Sequence, residues 1–252
     1  MRVTLFRRTY SVPAARILLG LLVLAFLFGV GAFLRLVYLN YRAIKSGETN
    51  PVLDRRLESS LSGIRANAAV TAQDMVVLQS ADAPTLGTKG AKLSIVEFVD
   101  YGCPFSKESF PAVRTIIQKY NDRVSFSLRD FPIEELHPRA LAAAIAARCA
   151  QEQGKFWPYH DQLFANQDHQ EDADLITYAQ TVGLDITAFQ SCVSNRTTQP
   201  KVEEDMRDAL RLGIGGTPTF FFNGVKIQGS LDEQSLDYLV NLFLKTTTST
   251  KK

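Results

Sequence analysis

The sequence predicts an α/β domain that carries a helical insertion and stands behind an N-terminal transmembrane helix. Three observations carry this. An uncharged run from Ile17 to Leu34 has the length of a bilayer core; strand, helix and strand patterns follow one another between Leu93 and Phe131; and after a long helical stretch an Asn-Gly dipeptide joins two last strands. With 46% hydrophobic and 21% charged residues over 252 positions, the composition fits one folded domain plus an anchor. Lys and Arg number 28 against 26 acids, dispersed for a net charge of +2, which leaves no basic surface to suggest a nucleic-acid partner.

At about 1.5 Å per residue, Ile17 to Leu34 nearly spans a hydrocarbon core. Arg16 and Arg35 can snorkel at its ends, and Leu36 to Leu39, with Tyr38 and Tyr41 as interfacial aromatics, extend the span to residues 17–39. The rival reading is a cleaved secretory signal. Its only candidate site is Gly29-Val30-Gly31, and cutting there leaves Ala32-Phe33-Leu34 at the new terminus, so a retained anchor is the better reading. Arg2, Arg7, Arg8 and Arg16 place residues 1–16 in the cytoplasm and the rest of the chain outside; Arg35, Arg42 and Lys45 weaken this bias without reversing it. The implied localisation is a single-pass cell-membrane protein with its folded domain extracytoplasmic. Residues 40–73 read as a stalk: Gly47 and Pro51 break structure, then Leu53, Leu57, Leu61, Ile64 and Ala68 recur at helical spacing, as in a solvated or domain-packed helix.

The folded domain is placed at residues 74–244. Met75 to Leu78 reads as an edge strand and Ala83 to Gly90 as a loop. Ile95, Val96, Phe98 and Val99 form a short apolar run suited to a strand buried on both faces. Tyr101 and Gly102 break it, and Pro104 fits the first position of a helix running to about Tyr120, which makes Cys103 the N-cap. Val124, Phe126 and Leu128 alternate as a second strand, so the unit should be a parallel, right-handed crossover. From about 138 to 213 the pattern is helical, over Arg139–Gln153, Phe156–Asn166, Ala173–Val182, Ile186–Val193 and Lys201–Leu212. Thr219–Phe222 and Val225–Gln228 flank Asn223-Gly224 as a hairpin, and an amphipathic helix covers Glu233–Leu244. Residues 245–252 read as a disordered polar tail.

Cys103 is the chemical centre of this pattern. Unpaired amides and the positive end of the helix dipole stabilise an anion there and lower a thiol's pKa, and the thiolate is the nucleophile. The competing reading is a buried structural cysteine. Cys103, Cys149 and Cys192 contain no Cys-x-x-Cys pair, and His137, His160 and His169 are scattered, so no metal site or other cofactor is expected. Each histidine reads as a surface or capping residue.

A strand ending in Cys103-Pro104-Phe105, the phrases Gln153 to Trp157 and His160 to Phe164 in the helical stretch, and Gly216-Thr217-Pro218 before Phe220-Phe221-Phe222-Asn223-Gly224 resemble the DsbA-like thiol-disulfide oxidoreductases of the thioredoxin superfamily. The resemblance covers roughly Asp74 to Leu244. It implies a thioredoxin-like fold with an inserted helical domain, a cis Thr217-Pro218 bond against the active sulfur, and substrate binding by Thr217, Pro218, Pro104 and Phe105. It implies also that Glu97 is a buried acid beneath the site, able to move a proton to or from a leaving thiol. The departure is Ser106, where the family carries its second cysteine. Cys103-Pro104-Phe105-Ser106 cannot close on itself, although Ser106 can donate a hydrogen bond to a Cys103 thiolate.

The expected function is membrane-anchored thiol-disulfide exchange with Cys103, Ser106 and Glu97 as catalytic residues, as a reductase, isomerase or oxidoreductase in protein disulfide formation. Its partners would be cysteine-containing proteins or small thiols. The alternative is a non-redox polypeptide-binding module, because a fold does not fix a function. With Cys103 assigned to chemistry and an oxidising compartment outside, Cys149 and Cys192 are expected to form a structural disulfide; the alternative is two buried free cysteines.

Overall fold

The computed structural model describes Gly20, residues 25–35, Tyr38 and residues 70–249. The chain divides into two units, Met1–Gly63 and Ile64–Lys252. In the first, residues 25–35 are helical, with Phe26, Phe28, Phe33 and Leu34 exposed. Among the described residues no helix is long and apolar enough to cross a membrane. The expected anchor lies partly, and the Leu53 to Ala68 stripe wholly, outside the described residues.

In the second unit, strands β1 (Thr85–Gly87), β2 (Leu93–Val99), β3 (Val124–Asp130), β4 (Thr219–Phe222) and β5 (Val225–Gln228) form one sheet in the order β1-β3-β2-β4-β5. β2 and β3 are parallel and the other pairs antiparallel. Helix α1 (Ala72–Leu78) precedes the sheet, α2 (Pro104–Lys119) makes the crossover from β2 to β3, and α8 (Glu233–Ser249) ends the described chain. Between β3 and β4 the insertion contains α3 (Ala140–Glu152), α4 (Phe156–Ala165), α5 (Asp172–Thr181), α6 (Ile186–Ser194) and α7 (Gln199–Arg211).

Both faces of β2 are covered, which is why its sequence is nearly continuously apolar. Ile95 and Val99 enter the main core with Val113 and Ile116 of α2 and Val240 and Phe243 of α8. Val96 and Phe98 face the other way, onto Leu78, Ala209, Leu212 and Phe221. Burying each of Phe220, Phe221 and Phe222 completely contributes about 1.5–3 kcal/mol.

The insertion is tied to the sheet by a buried ion network. Arg148 of α3 donates to Asp130 at 2.5 Å and to Asp205 at 2.5 Å, while Arg129 donates to Asp205, to Asp208 at 2.6 Å and to the Val77 carbonyl at 2.8 Å. Burial, with Asp205 pushing the same way, raises the Asp130 pKa to about 6 against the pull of Arg148.

Several sequence expectations need correction. Met75 to Leu78 is helical, because Thr71 and Asp74 form a reciprocal capping box that overrides the β-branched pair Val76 and Val77. The edge strand is instead β1, inside the expected loop. Gly87 there has φ 77°, and a Cβ on it would lie 2.2 Å from the Val124 carbonyl oxygen, so the close pairing needs glycine. The last helix runs past Leu244 to Ser249, with the Thr246 hydroxyl donating to the Leu242 carbonyl at 3.2 Å. Residues 250–252 lie outside the described residues. His160 is a core residue, 4% exposed among Tyr101, Phe110, Phe156 and Phe164, and burial lowers its pKa.

Candidate functional site

Cys103 caps the start of α2 in an extended conformation, φ −75° and ψ 121°, with Pro104 in the first turn. Its amide donates to the Asp100 carbonyl at 3.0 Å, and its Sγ donates to the Thr217 carbonyl at 3.2 Å. Thr217-Pro218 is cis. The two segments meet because Phe98 at the end of β2 pairs with Thr219 at the start of β4. Cys103 is 5% exposed, whereas Phe105 beside it is 58% exposed. Cys103, Pro104, Phe105, Thr217 and Pro218 therefore share one end of the sheet.

Ser106 lies in the first turn of α2 and is 1% exposed. The hydrogen bond expected between Ser106 and Cys103 is not made. The sulfur's hydrogen goes to the Thr217 carbonyl, and the Ser106 Oγ and Thr217 Oγ1 atoms are both buried without a hydrogen-bond partner among the described residues.

The loop before Cys103 is held by residues that sequence reasoning either left in a minor role or missed. The Asp100 carboxylate accepts from the Gly102 amide at 2.7 Å and the Ile133 amide at 2.8 Å, and lies 2.8 Å from His137 Nδ1. A Cβ on Gly102 would lie 2.4 Å from that of His137, so glycine lets the histidine close over the loop. Gln167 Nε2 donates to the Tyr101 and Cys103 carbonyls, each at 2.9 Å, and Gln170 Nε2 donates to the Tyr101 carbonyl at 2.9 Å. Both glutamines come from the loop between α4 and α5. Their only signal was a pair of amide donors in a polar segment, which periodicity does not mark.

Glu97 is 4% exposed on β2, between Leu128 of β3 and Phe220 of β4. It shares the parity of Ile95 and Val99, so it lies on the face covered by α2. Among the described residues no hydrogen bond or ion pair reaches its carboxyl, and desolvation raises its pKa to about 8. Cys149 of α3 and Cys192 of α6 are joined in a disulfide with Cα atoms 5.9 Å apart, leaving Cys103 as the free thiol. No cluster able to hold a metal ion occurs among the described residues.

The family profile described as Thioredoxin matches residues 79–241. A thioredoxin-like oxidoreductase from Silicibacter pomeroyi has a solved structure with a TM-score of 0.61 and 26% identity, covering 70% of this chain and 99% of that one. The thiol-disulfide exchange protein alpha-DsbA2 from Wolbachia pipientis shares the fold, with a TM-score of 0.61 and 20% identity over 77% of this chain and 99% of that one. Among curated relatives, Na(+)/H(+) antiporter NhaA 3 of Salinispora tropica is 36% identical over 154 residues, which make up 61% of this chain and 24% of that protein. The chain thus spans about a quarter of the length of the curated relatives it matches.

Glu97 generates a test of its environment. Its pKa is raised from 4.5 to about 8, so the folded state keeps a proton that the unfolded state releases, and stability falls as pH rises through that window. The slope is at most about 1.4 kcal/mol per pH unit. Glu97→Gln should flatten the fall and be the more stable protein above pH 8 in denaturant unfolding. Parallel stability profiles for the two proteins would contradict a buried, unpaired carboxyl.

Proposed function

This chain belongs to the thioredoxin family, and from that premise we propose that it is a membrane-anchored, extracytoplasmic thiol-disulfide exchange protein with one nucleophilic cysteine. The observation that carries the reading is the free Cys103 thiol at the start of α2, against the carbonyl of Thr217 and its cis bond to Pro218. The similarity to the thioredoxin-like oxidoreductase supports it. The antiport named for the curated relative is that protein's activity and is not carried to this chain.

In the proposed reaction the Cys103 thiolate attacks one sulfur of a substrate disulfide. The new bond is a Cys103 mixed disulfide, and the second substrate sulfur leaves as a thiolate and takes a proton. Glu97, protonated at neutral pH, is the buried acid on the side of the sheet below α2 and serves as the proton reservoir. Ser106 cannot attack the mixed disulfide, so an external thiol, or another thiol of the substrate, must release it and return the Cys103 thiolate. Phe105, exposed next to the sulfur, and the backbone around Thr217 and Pro218 receive the cysteine-containing protein or small thiol. The 5% exposure of Cys103 favours one second reading, a polypeptide-binding module without redox turnover.

The uncharged run from Ile17 to Leu34 is the proposed anchor. Membranes carrying the native protein should retain it through a carbonate wash; an amino terminus near Ala32 on purified native protein would show a cleaved signal instead.

Exchange is tested by two variants. Cys103→Ala should abolish reduction of a model disulfide substrate. Wild type should accumulate mixed disulfides that Ser106→Cys clears, with a gain of dithiol oxidase activity. Unchanged activity in Cys103→Ala would reject the nucleophile, and a Ser106→Cys protein that resolves complexes no faster than wild type would reject the single-cysteine account.

A further inference from the structure

Two hydroxyls beside Cys103 are used neither by the fold nor by thiol-disulfide exchange. Ser106 is 1% exposed and Thr217 9% exposed, yet Ser106 Oγ and Thr217 Oγ1 have no hydrogen-bond partner among the described residues. Ser106 stands three residues beyond Cys103, so the two side chains share one side of the first turn of α2. Thr217 touches the sulfur through its own carbonyl, at 3.2 Å. A buried hydroxyl left unpaired is destabilising, and each hydroxyl can donate one hydrogen bond. Two such unpaired donors, on the residues that flank this sulfur in the first turn of α2 and at the cis bond, match an oxygen atom attached to it.

We propose that Cys103 is also oxidised by small hydroperoxides, and that the Ser106 and Thr217 hydroxyls hold the oxygen of the resulting sulfenic acid. The proposal rests on the reading of Cys103 as the reactive thiol. Its sulfur attacks the nearer peroxide oxygen, the O–O bond breaks, and the other oxygen leaves as an alcohol, or as water from hydrogen peroxide, taking the thiol proton. Cys103 is thereby oxidised to Cys–SOH and the peroxide reduced.

Two features of the site then preserve this state. The other two cysteines are bonded to each other, so no thiol of the chain is free to condense with the sulfenic acid. A 5% exposed sulfur also admits a small peroxide more readily than a bulky thiol. A low-molecular-weight thiol completes the cycle: one molecule displaces water to form a mixed disulfide, and a second releases Cys103 and carries away the disulfide. Over the cycle one hydroperoxide is reduced and two thiols are oxidised.

The test exposes the purified full-length protein to equimolar hydrogen peroxide and follows it with dimedone, reading adducts by peptide mass spectrometry. Wild type should give one adduct, on Cys103. In Ser106→Ala and in Thr217→Val the dimedone-reactive state should decay to sulfinic acid about two- to tenfold faster, as expected for loss of one hydrogen bond to a neutral oxygen. Absence of an adduct, while iodoacetamide still alkylates Cys103, would overturn the proposal and leave the exchange reading standing. Equal lifetimes in wild type and both variants would also overturn it, because the hydroxyls would then hold nothing. A Cys103 inert to iodoacetamide as well would remove both readings.

Discussion

The contact between Cys103 Sγ and the Thr217 carbonyl joins segments 114 residues apart, and the rest of the site depends on it. The sheet makes it possible. β2 and β4 are neighbours with Phe98 opposite Thr219, so the loop that leaves β2 and the turn that enters β4 emerge side by side. Pro104 starts a helix at the first of these exits, and Pro218 carries no amide to extend strand pairing at the second. A sulfur held this way has a helix start on one side and a backbone acceptor on the other.

The insertion does more than cover the sheet. Its Gln167 and Gln170 donate into the loop that ends at Cys103, while Arg148 reaches back to Asp130 at the end of β3. The Asp130 amide also donates to the carboxylate of Asp205 of α7, at 2.9 Å. The loop is thus fixed from the sheet by Asp100 and from the insertion by two amides. Replacing one partner of such a buried ionic cluster is costly, because the remaining charge stays desolvated. The cluster therefore holds the register between the insertion and the sheet.

What could be read from the sequence follows from the range of the interaction responsible. The α2 start was legible because Pro104 restricts the backbone locally, and the five insertion helices because each has an amphipathic period. β2 was legible because burial on both faces leaves only Ser94 and Glu97 polar in an otherwise apolar strand. The α1 segment was misread because Val76 and Val77 suggest a strand, while the capping box that decides the matter lies just upstream. β1 has only three residues and exists because Gly87 tolerates the Val124 backbone, which no periodicity reveals. His160, Gln167, Gln170 and the arginine network depend on tertiary placement, and so does the preference of the Cys103 thiol for Thr217 over Ser106. A pattern along the chain shows which face a residue occupies, not which partner it meets there.

In the proposed exchange Cys103 works by forming covalent bonds with other thiols. The decisive measurement isolates the protein from its native cells after acid quenching and thiol blocking, and identifies by mass spectrometry what is disulfide-bonded to the Cys103 peptide. Cysteine-containing proteins or small thiols should be found attached at Cys103, and none at position 103 in a Cys103→Ser protein. A Cys103 recovered wholly as the blocked free thiol, with wild type and variant retaining the same associated polypeptides, would contradict the exchange and favour a binding module.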